Sequence, residues 1–317
     1  MKRYLFVTIL LVAALACSCT VEEEPINDDS TITIVGDENP GEDDSIVDDT
    51  RMSVADFAIE NDAPDTKTIL TFLEKGVRFT FVDGERLGIF PYTVENAPQM
   101  PFFLNSIDAT TFSLKCPGFA LKDGVDYGAY YPYYPSYDIT ATSVPVNYTG
   151  QTQSSVDGST FNISSADYLI ANATPSGGGC FFKMSHIGSL VVIDATAPES
   201  NTYTELSLNS SSASFVTSGT INVGQSITLP SDGTPAQGIE IANTATSDKI
   251  SLTLGSDSGI DLTANQTYRF CIMVAPVDLS SSTVTLKLKT SSGAEYSTIL
   301  TSKNFRQGYA YRYNCTF

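Results

Sequence analysis

The stretch FTFVDGERLGIFPY, residues 79–92, decides the fold class of this chain. Apolar and polar side chains alternate from Val77 to Phe81, and a second apolar run extends from Leu87 to Phe90. Between the two runs stands Asp83-Gly84, a dipeptide that favours a tight turn. Because a period of two places alternate side chains on one face, the stretch predicts two β-strands joined by a turn.

The same pattern recurs along the rest of the chain, where turn dipeptides separate short runs and helical periodicity is weak. The further runs are 111–115, 189–193, 205–208, 250–254, 267–274, 282–289 and 309–317. Many short strands with such punctuation predict an all-β fold of sandwiches. Three glycines in residues 174–179 favour irregular structure. We therefore expect two tandem β-sandwich domains, an N-terminal one at 52–174 and a C-terminal one at 175–317.

The first 16 residues have the parts of a secretion signal. Met1-Lys2-Arg3 is charged, residues 4–16 are mainly apolar, and small residues precede Cys17. The apolar stretch is shorter than the roughly 20 residues of a membrane-spanning helix. A cysteine directly after the cut resembles the lipobox of bacterial lipoproteins, in which the thiol is acylated; Cys19 is the alternative. We expect a signal peptide at 1–16 and a lipid anchor at Cys17.

Residues 17–51 are predicted to form an acidic, flexible arm. Residues 18–51 contain twelve carboxylates and a single basic residue, Arg51. A segment this charged cannot bury enough apolar surface to fold alone. The whole chain carries a net charge of −19, and its basic residues form no stripe. The sequence therefore predicts no nucleic-acid partner.

Four cysteines lie outside the lipid signal: Cys116, Cys180, Cys271 and Cys315. An exported protein meets oxidising conditions, and four cysteines allow three pairings into two disulfides. They can equally be small buried thiols, which we favour because a chain of this size folds without such links. The cysteines form no CxxC pair, so a structural zinc site is not indicated.

The sequence does not predict an enzyme, a cofactor or a metal site. The chain has one histidine, His186, and in a strand its neighbour Ser185 would point to the opposite face. No GxSxG, HExxH or phosphate-binding glycine loop is present. The acidic run at 37–44 lacks the spacing of a calcium-binding loop.

Four landmarks occur in the order found in one family. Residues 79–92 resemble the strand–turn–strand that opens the folded part of Bacteroidetes fimbrillins, and YGAYYPYYPS at 127–136 resembles their tyrosine-rich segment. FFKMSHIGSLVVI at 181–193 resembles the start of their second domain, and NFRQGYAYRYNCTF at 304–317 their closing strand. The chain resembles the fimbrillin, or Mfa-like, group of surface-fibre subunits. The resemblance implies that both sandwiches are Greek-key, transthyretin-like domains.

The resemblance also implies a route of assembly. Fimbrillins are exported as lipoproteins to the outer membrane and cell surface, where a trypsin-like or arginine-specific protease removes an N-terminal segment. This removal takes a strand out of the first sandwich and opens a groove, which a strand from another subunit then fills. Arg51 is the one basic residue between Arg3 and Lys67, which implies a cut between Arg51 and Met52. The strand-like piece TITIV at 31–35, with Ile32 and Ile34, is then the released strand.

Two alternatives remain open. Because this chain ends with the family's closing strand and lacks a further donor extension, the resemblance suggests a subunit that accepts a strand without offering one, such as a tip subunit. If Arg51 is not cut, a lipid-held anchor subunit is the better interpretation.

A second functional class is a surface lipoprotein that binds glycans by stacking them on Tyr133 and Tyr134. The adhesion ligand itself is not indicated by the sequence.

Overall fold

The structure is a computed structural model. It describes residues 49–54, 57–59, 70–73, 76–79, 81, 84–91, 99–108, 111–134, 143–154, 156, 166–225, 227–228, 230, 235–255 and 258–317. Every regular secondary-structure element in these ranges is a β-strand, so the predicted all-β fold is confirmed. This part of the chain has no helix with the length and hydropathy needed to cross a membrane.

The strands are numbered in chain order. Up to residue 186 they are β1 Asp49–Val54, β2 Phe57–Ile59, β3 Leu70–Leu73, β4 Gly76–Phe79, β5 Arg86–Pro91, β6 Met100–Ser106, β7 Thr111–Lys115, β8 Tyr127–Tyr131, β9 Ser143–Asn147, β10 Gln151–Gln153, β11 Leu169–Ala173 and β12 Gly179–His186. Beyond it they are β13 Ser189–Thr196, β14 Asn201–Ser210, β15 Phe215–Asn222, β16 Ile241–Ser247, β17 Lys249–Leu254, β18 Ile260–Leu262, β19 Thr267–Val274, β20 Val277–Asp278, β21 Val284–Thr290, β22 Glu295–Leu300, β23 Asn304–Phe305 and β24 Tyr309–Thr316.

Seven strands form a sheet that closes on itself, in the order β1-β12-β11-β8-β5-β6-β7, with β7 pairing back to β1. Its interior is one hydrophobic core, to which Leu87 and Ile89 of β5 and Tyr127 and Tyr131 of β8 contribute. Because side chains alternate across a strand, Phe90 and Tyr130 point out of this sheet into a second core. The closed sheet is therefore buried on both faces along β5 and β8.

The second core lies among the other sheets. One sheet has the order β10-β17-β14-β21-β22, with β18 also pairing β14, and another has the order β19-β13-β24-β2-β4-β3. A three-stranded sheet, β16-β15-β9, and the pair β20-β23 complete the arrangement. The central strand β13 carries Leu190, Val191, Val192 and Ile193, all buried, as a strand covered on both faces requires.

Strands on either side of the predicted boundary at 174–175 share sheets. β12 belongs to the closed sheet, β9 pairs β15, and β10 pairs β17. The glycine-rich stretch forms the turn between β11 and β12, in which Gly177 and Gly178 have φ values of 64° and 76°. L-residues with side chains rarely adopt these angles, which explains the glycines. The division into two domains, and their Greek-key connectivity, stay predictions.

Two glutamines of β10 seal the outer edge of β19. The Gln151 amide donates Nε2 to Met273 O at 2.7 Å and accepts from Met273 N at 2.8 Å. Gln153 donates to Arg269 O at 2.7 Å and accepts from Cys271 N at 3.1 Å. Each side-chain amide thus makes a pair of hydrogen bonds to the backbone of β19, as the backbone of a neighbouring strand would. An open edge would otherwise invite pairing with another chain, so this one is closed within the subunit.

One carboxylate ties three strands of the β13 sheet together. Asp194 of β13 accepts from Arg269 Nε of β19 at 2.7 Å and from Arg312 Nη2 of β24 at 2.6 Å. Burial alone would raise the pKa of Asp194, but the hydrogen bonds and charges of Arg269 and Arg312 lower it overall. The carboxylate is therefore held ionised between the two guanidinium groups.

We expect Asp194→Asn to lower the free energy of unfolding by about 3 kcal/mol, because both guanidinium groups lose their ion pair with the Asp194 carboxylate. Since the folded pKa of Asp194 lies below the unfolded value of about 3.9, its stabilisation is complete above that pH. It is lost as the pH falls through the lower folded pKa. Urea unfolding between pH 7 and pH 2 measures both effects. Glu240→Gln, at an exposed carboxylate, is the matched control; an equal loss in that variant would contradict the account.

Candidate functional site: strand β1 and its slot

β1 is held on both edges by the closed sheet. It runs parallel to β12, with Arg51 opposite Phe181 and Met52 opposite Phe182. It runs antiparallel to β7, with Arg51 opposite Ser113 and Met52 opposite Phe112. Removal of β1 would therefore leave two unpaired strand edges, those of β7 and β12, facing each other. We call the space between them the β1 slot.

Inward-pointing side chains anchor β1 in the core of the closed sheet. Met52 is 0% exposed, and the residues opposite it on both neighbouring strands are phenylalanines, Phe112 and Phe182, which share its core. Thr50, two residues earlier on the same face, is also buried. A fully buried methionine contributes about 1.5–3 kcal/mol of transfer free energy, which makes Met52 an apolar anchor of the strand.

The outward face of β1 carries Arg51. Its Nε donates to Asp49 Oδ1 at 2.7 Å, and the two side chains remain 47% and 54% exposed. The hydrogen bond and charge of Asp49 raise the pKa of Arg51. The guanidinium group is accessible, whereas the backbone between Arg51 and Met52 is engaged in the sheet. Cleavage after Arg51 therefore requires β1 to leave the sheet locally.

Several predicted residues lie outside the described residues. These are the signal peptide 1–16, Cys17, Cys19, and Ile32 and Ile34 of the predicted released strand. β1 begins at Asp49, two residues before the predicted end of the arm at Arg51. The structure thus places Arg51 and Met52 together in one strand, and the lipid site and released strand stay predictions.

The four cysteines outside the lipid signal are free thiols in the structure. Cys271 and Cys315 lie on strands either side of β13, opposite Val192 and Ala195. Two strand spacings separate their Cα atoms by at least about 9 Å, too far for a disulfide. Burial raises the pKa of the Cys271 thiol to about 12. These two cysteines act as small core residues.

Cys180 and Cys116 are separated in a similar way by β1. Cys180 lies opposite Thr50 on β12, and Cys116 follows directly after β7, the strand on the other side of β1. Burial, and secondarily the charge of Asp123, raise the pKa of Cys180 to about 12, which keeps the thiol protonated and unreactive at neutral pH.

The tyrosine-rich segment divides into a buried and an exposed part. Tyr127, Tyr130 and Tyr131 are buried in β8, where their rings fill the two cores. Tyr133 is partly buried, with the guanidinium group of Arg86 5.8 Å from its ring centroid. Tyr134 is 46% exposed. Of the two predicted glycan contacts, Tyr134 presents the larger free ring surface.

His186 is a packed residue at the end of β12. Its Nδ1 lies 2.8 Å from Asp167 Oδ1, and both side chains are buried. The contact fixes the turn before β11 against β12. Among the described residues, no group of three or more His, Cys, Asp or Glu side chains is placed to hold a metal ion.

Comparison with known families decides where this chain belongs. A family model described as fimbrillin-like matches residues 80–317, three quarters of the sequence. The chain belongs to the fimbrillin-like family. The protein is thus a fimbrial or adhesive subunit of the cell surface that assembles with other fimbrial subunits, which is a structural role. The matched region begins after β1, so it includes the other six strands of the closed sheet.

Solved structures share the fold of this fimbrillin-like protein. A candidate cell adhesion protein from Bacteroides uniformis ATCC 8492 is 17% identical, with a TM-score of 0.52, covering 86% of this chain and 94% of that chain. A candidate cell adhesion protein from Bacteroides ovatus ATCC 8483 is 16% identical, with a TM-score of 0.52, covering 85% and 91% respectively. No curated protein matches the chain.

Proposed function

We propose that this fimbrillin-like protein is exported as a lipoprotein acylated at Cys17, cut between Arg51 and Met52, and assembled into fimbriae by donor-strand complementation. The observation that carries this proposal is the position of Arg51 in a strand that closes a sheet on both edges. A cut there acts on a strand whose loss leaves an open backbone edge on both β7 and β12. If Arg51 is not cut, the alternative proposal is a lipid-held anchor subunit; a tip position is a further proposal for the cut form.

The cut itself would destabilise the remainder of β1. Cleavage creates an α-ammonium group on Met52, a residue that is 0% exposed. The α-amino group has a pKa of about 7.7–8.0, so it is mostly charged at neutral pH. The same hydrolysis leaves an α-carboxylate on Arg51, so the buried ammonium loses its partner, at a cost of several kcal/mol, once the released peptide departs. The segment 52–54 therefore leaves the closed sheet. The peptide that ends at Arg51 is no longer covalently attached to the rest of the chain.

The empty slot would then select a strand from another subunit. The edges of β7 and β12 present unpaired N–H and C=O groups. Phe112 and Phe182 form an apolar surface at the position that Met52 has left. A donor strand gains about 1.5–3 kcal/mol for each apolar side chain that it buries, before the cost of ordering it. Backbone pairing adds to this gain and satisfies edges that otherwise aggregate.

A disulfide that holds β1 in place tests the proposal. Ser53 and Thr111 are directly opposed on β1 and β7, where Cβ atoms lie about 4.5–5.5 Å apart. The double variant Ser53→Cys, Thr111→Cys is designed to link the strands under oxidising conditions. We expect the linked protein to be cut slowly at Arg51 and to be excluded from fimbriae, and a reductant to restore both. Incorporation is measured on purified fibres by immunoblotting.

The single variants Ser53→Cys and Thr111→Cys are the matched controls, because each adds one thiol without a link to β7. Both are expected to enter fibres like the unmodified protein. If the linked double variant enters fibres as efficiently as the single variants, β1 does not leave its slot, and strand exchange at this site is excluded.

A further inference from the structure

A neutral cleft lies beside the exposed tyrosine, on the three-stranded sheet β16-β15-β9. It has a volume of about 600 Å³. Its lining residues are Pro132, Tyr134, Pro145, Val146, Asn147, Tyr168, Ser218, Gly219, Thr220 and Asn243. None of these carries a charge, although the chain as a whole has a net charge of −19. The lining residues that the structure describes therefore offer no counter-charge to an ionic ligand.

Two asparagines give the cleft free amide groups. Asn147 Oδ1 accepts from the backbone and hydroxyl of Thr149 at 2.8 and 2.7 Å, while its Nδ2 group makes no hydrogen bond to any described residue. Asn243 Nδ2 donates to Thr220 Oγ1 at 3.2 Å, while its Oδ1 has no donor among the described residues. One amide can thus donate and the other accept.

The backbone holds both asparagines in fixed positions. The Tyr168 hydroxyl accepts from Asn147 N at 2.7 Å and donates to Asn147 O at 3.0 Å. Asn243 sits at a bulge between β15 and β16, with φ at 51°, an angle that asparagine tolerates better than most residues. A Cβ at Gly219 would lie 2.6 Å from Ile241, so the bulge packs tightly against β15. The backbone from which both side-chain amides extend is thus fixed.

We propose that this cleft binds a neutral saccharide. A sugar ring presents an apolar face, suited to the exposed ring of Tyr134, and an edge of hydroxyl groups that both donate and accept. The free groups of Asn147 and Asn243 satisfy those hydroxyls in both directions. The absence of charge among the described lining residues favours neutral over sialylated or sulfated sugars. No lining residue belongs to β1 or to its neighbours β7 and β12, so the cleft is separate from the β1 slot.

The test uses the purified full chain on an array of neutral hexose and N-acetylhexosamine oligosaccharides together with their sialylated and sulfated counterparts. We expect binding to neutral members and weaker binding to the charged counterparts. Tyr134→Ala should weaken binding about tenfold, the effect of losing about 1.4 kcal/mol of contact. Tyr134→Phe should bind like the unmodified protein, because the ring remains.

Asn243→Gly separates recognition from folding. Glycine adopts the same positive φ, so the bulge is kept while the amide is lost; we expect weaker binding with unchanged thermal unfolding. Ile299→Ala, at an exposed residue outside the cleft, should bind normally. The proposal is overturned if no neutral sugar binds, if charged sugars bind better, or if Tyr134→Ala binds undiminished. Fibre incorporation of the same variants should be normal, which separates this result from the strand-exchange proposal.

Discussion

Replacement of Arg51 by alanine is expected to leave the precursor uncut and to abolish its incorporation into fibres. The physical reason is that Arg51 is the single basic residue in a long acidic segment, so a protease that requires a basic side chain has no substitute site nearby. Without the cut, Met52 stays covalently joined to Asp49–Arg51, and β1 keeps both neighbouring edges paired. Immunoblots of whole cells and of purified fibres measure the two effects.

The control for the Arg51→Ala experiment is Lys183→Ala. Lys183 lies on β12, opposite Ser53. Its replacement therefore removes a basic side chain from the same sheet and leaves the cleavage site intact. It is expected to be cut and assembled normally. Arg51→Lys distinguishes the two kinds of protease, since a trypsin-like enzyme still cuts it and an arginine-specific enzyme does not. Normal fibres built from Arg51→Ala protein would refute processing at this residue.

Replacement of Met52 by alanine is expected to accelerate cleavage at Arg51 by about 30-fold or more. Loss of a buried methionine costs about 2–5 kcal/mol, and here that loss falls on the strand that must open. Where opening is fast compared with cleavage, the rate follows the population of the open form, and each 1.4 kcal/mol is about tenfold. Digestion of the purified precursor with limiting trypsin, followed by mass spectrometry, measures the rate.

Two controls separate opening from direct recognition by the protease. Ser53→Ala changes an outward side chain of the same strand, and we expect it to alter the rate little, because surface substitutions usually cost within about 0.5 kcal/mol. Synthetic peptides spanning residues 46–56, with Met or Ala at position 52, report the intrinsic cleavage rate. Equal rates for the folded Met52→Ala and unmodified proteins would show that cleavage does not pass through the opening of β1.

Strands with alternating side chains were predictable from the sequence. The run predicted at 267–274 has the same bounds as β19, and the run predicted at 189–193 lies within β13. β15 and β16 were not predicted, because Phe215–Asn222 and Ile241–Ser247 carry mostly small polar side chains that remain partly or fully exposed. Such strands are defined by their pairing partners, which local patterns do not encode.

The candidate site was predictable in part. The sequence isolates Arg51 by charge alone, but the pairing of β1 between β7 and β12 joins residues about 60 and 130 positions apart, which only the folded chain brings together. The amides of Asn147 and Asn243 were missed, because nothing local distinguishes them from other surface asparagines. Gln151 and Gln153 were missed for the same reason, since their partners on β19 lie more than a hundred residues away.

The N-terminus of the protein in native fibres tests the central claim most directly. Mass spectrometry of subunits released from purified fibres would identify the first residue of the assembled chain. Our account predicts a chain that begins at Met52, with no acylated peptide attached. A fibre-bound chain that still begins at an acylated Cys17 and retains Arg51 would contradict the account and leave β1 as a permanent strand of the closed sheet.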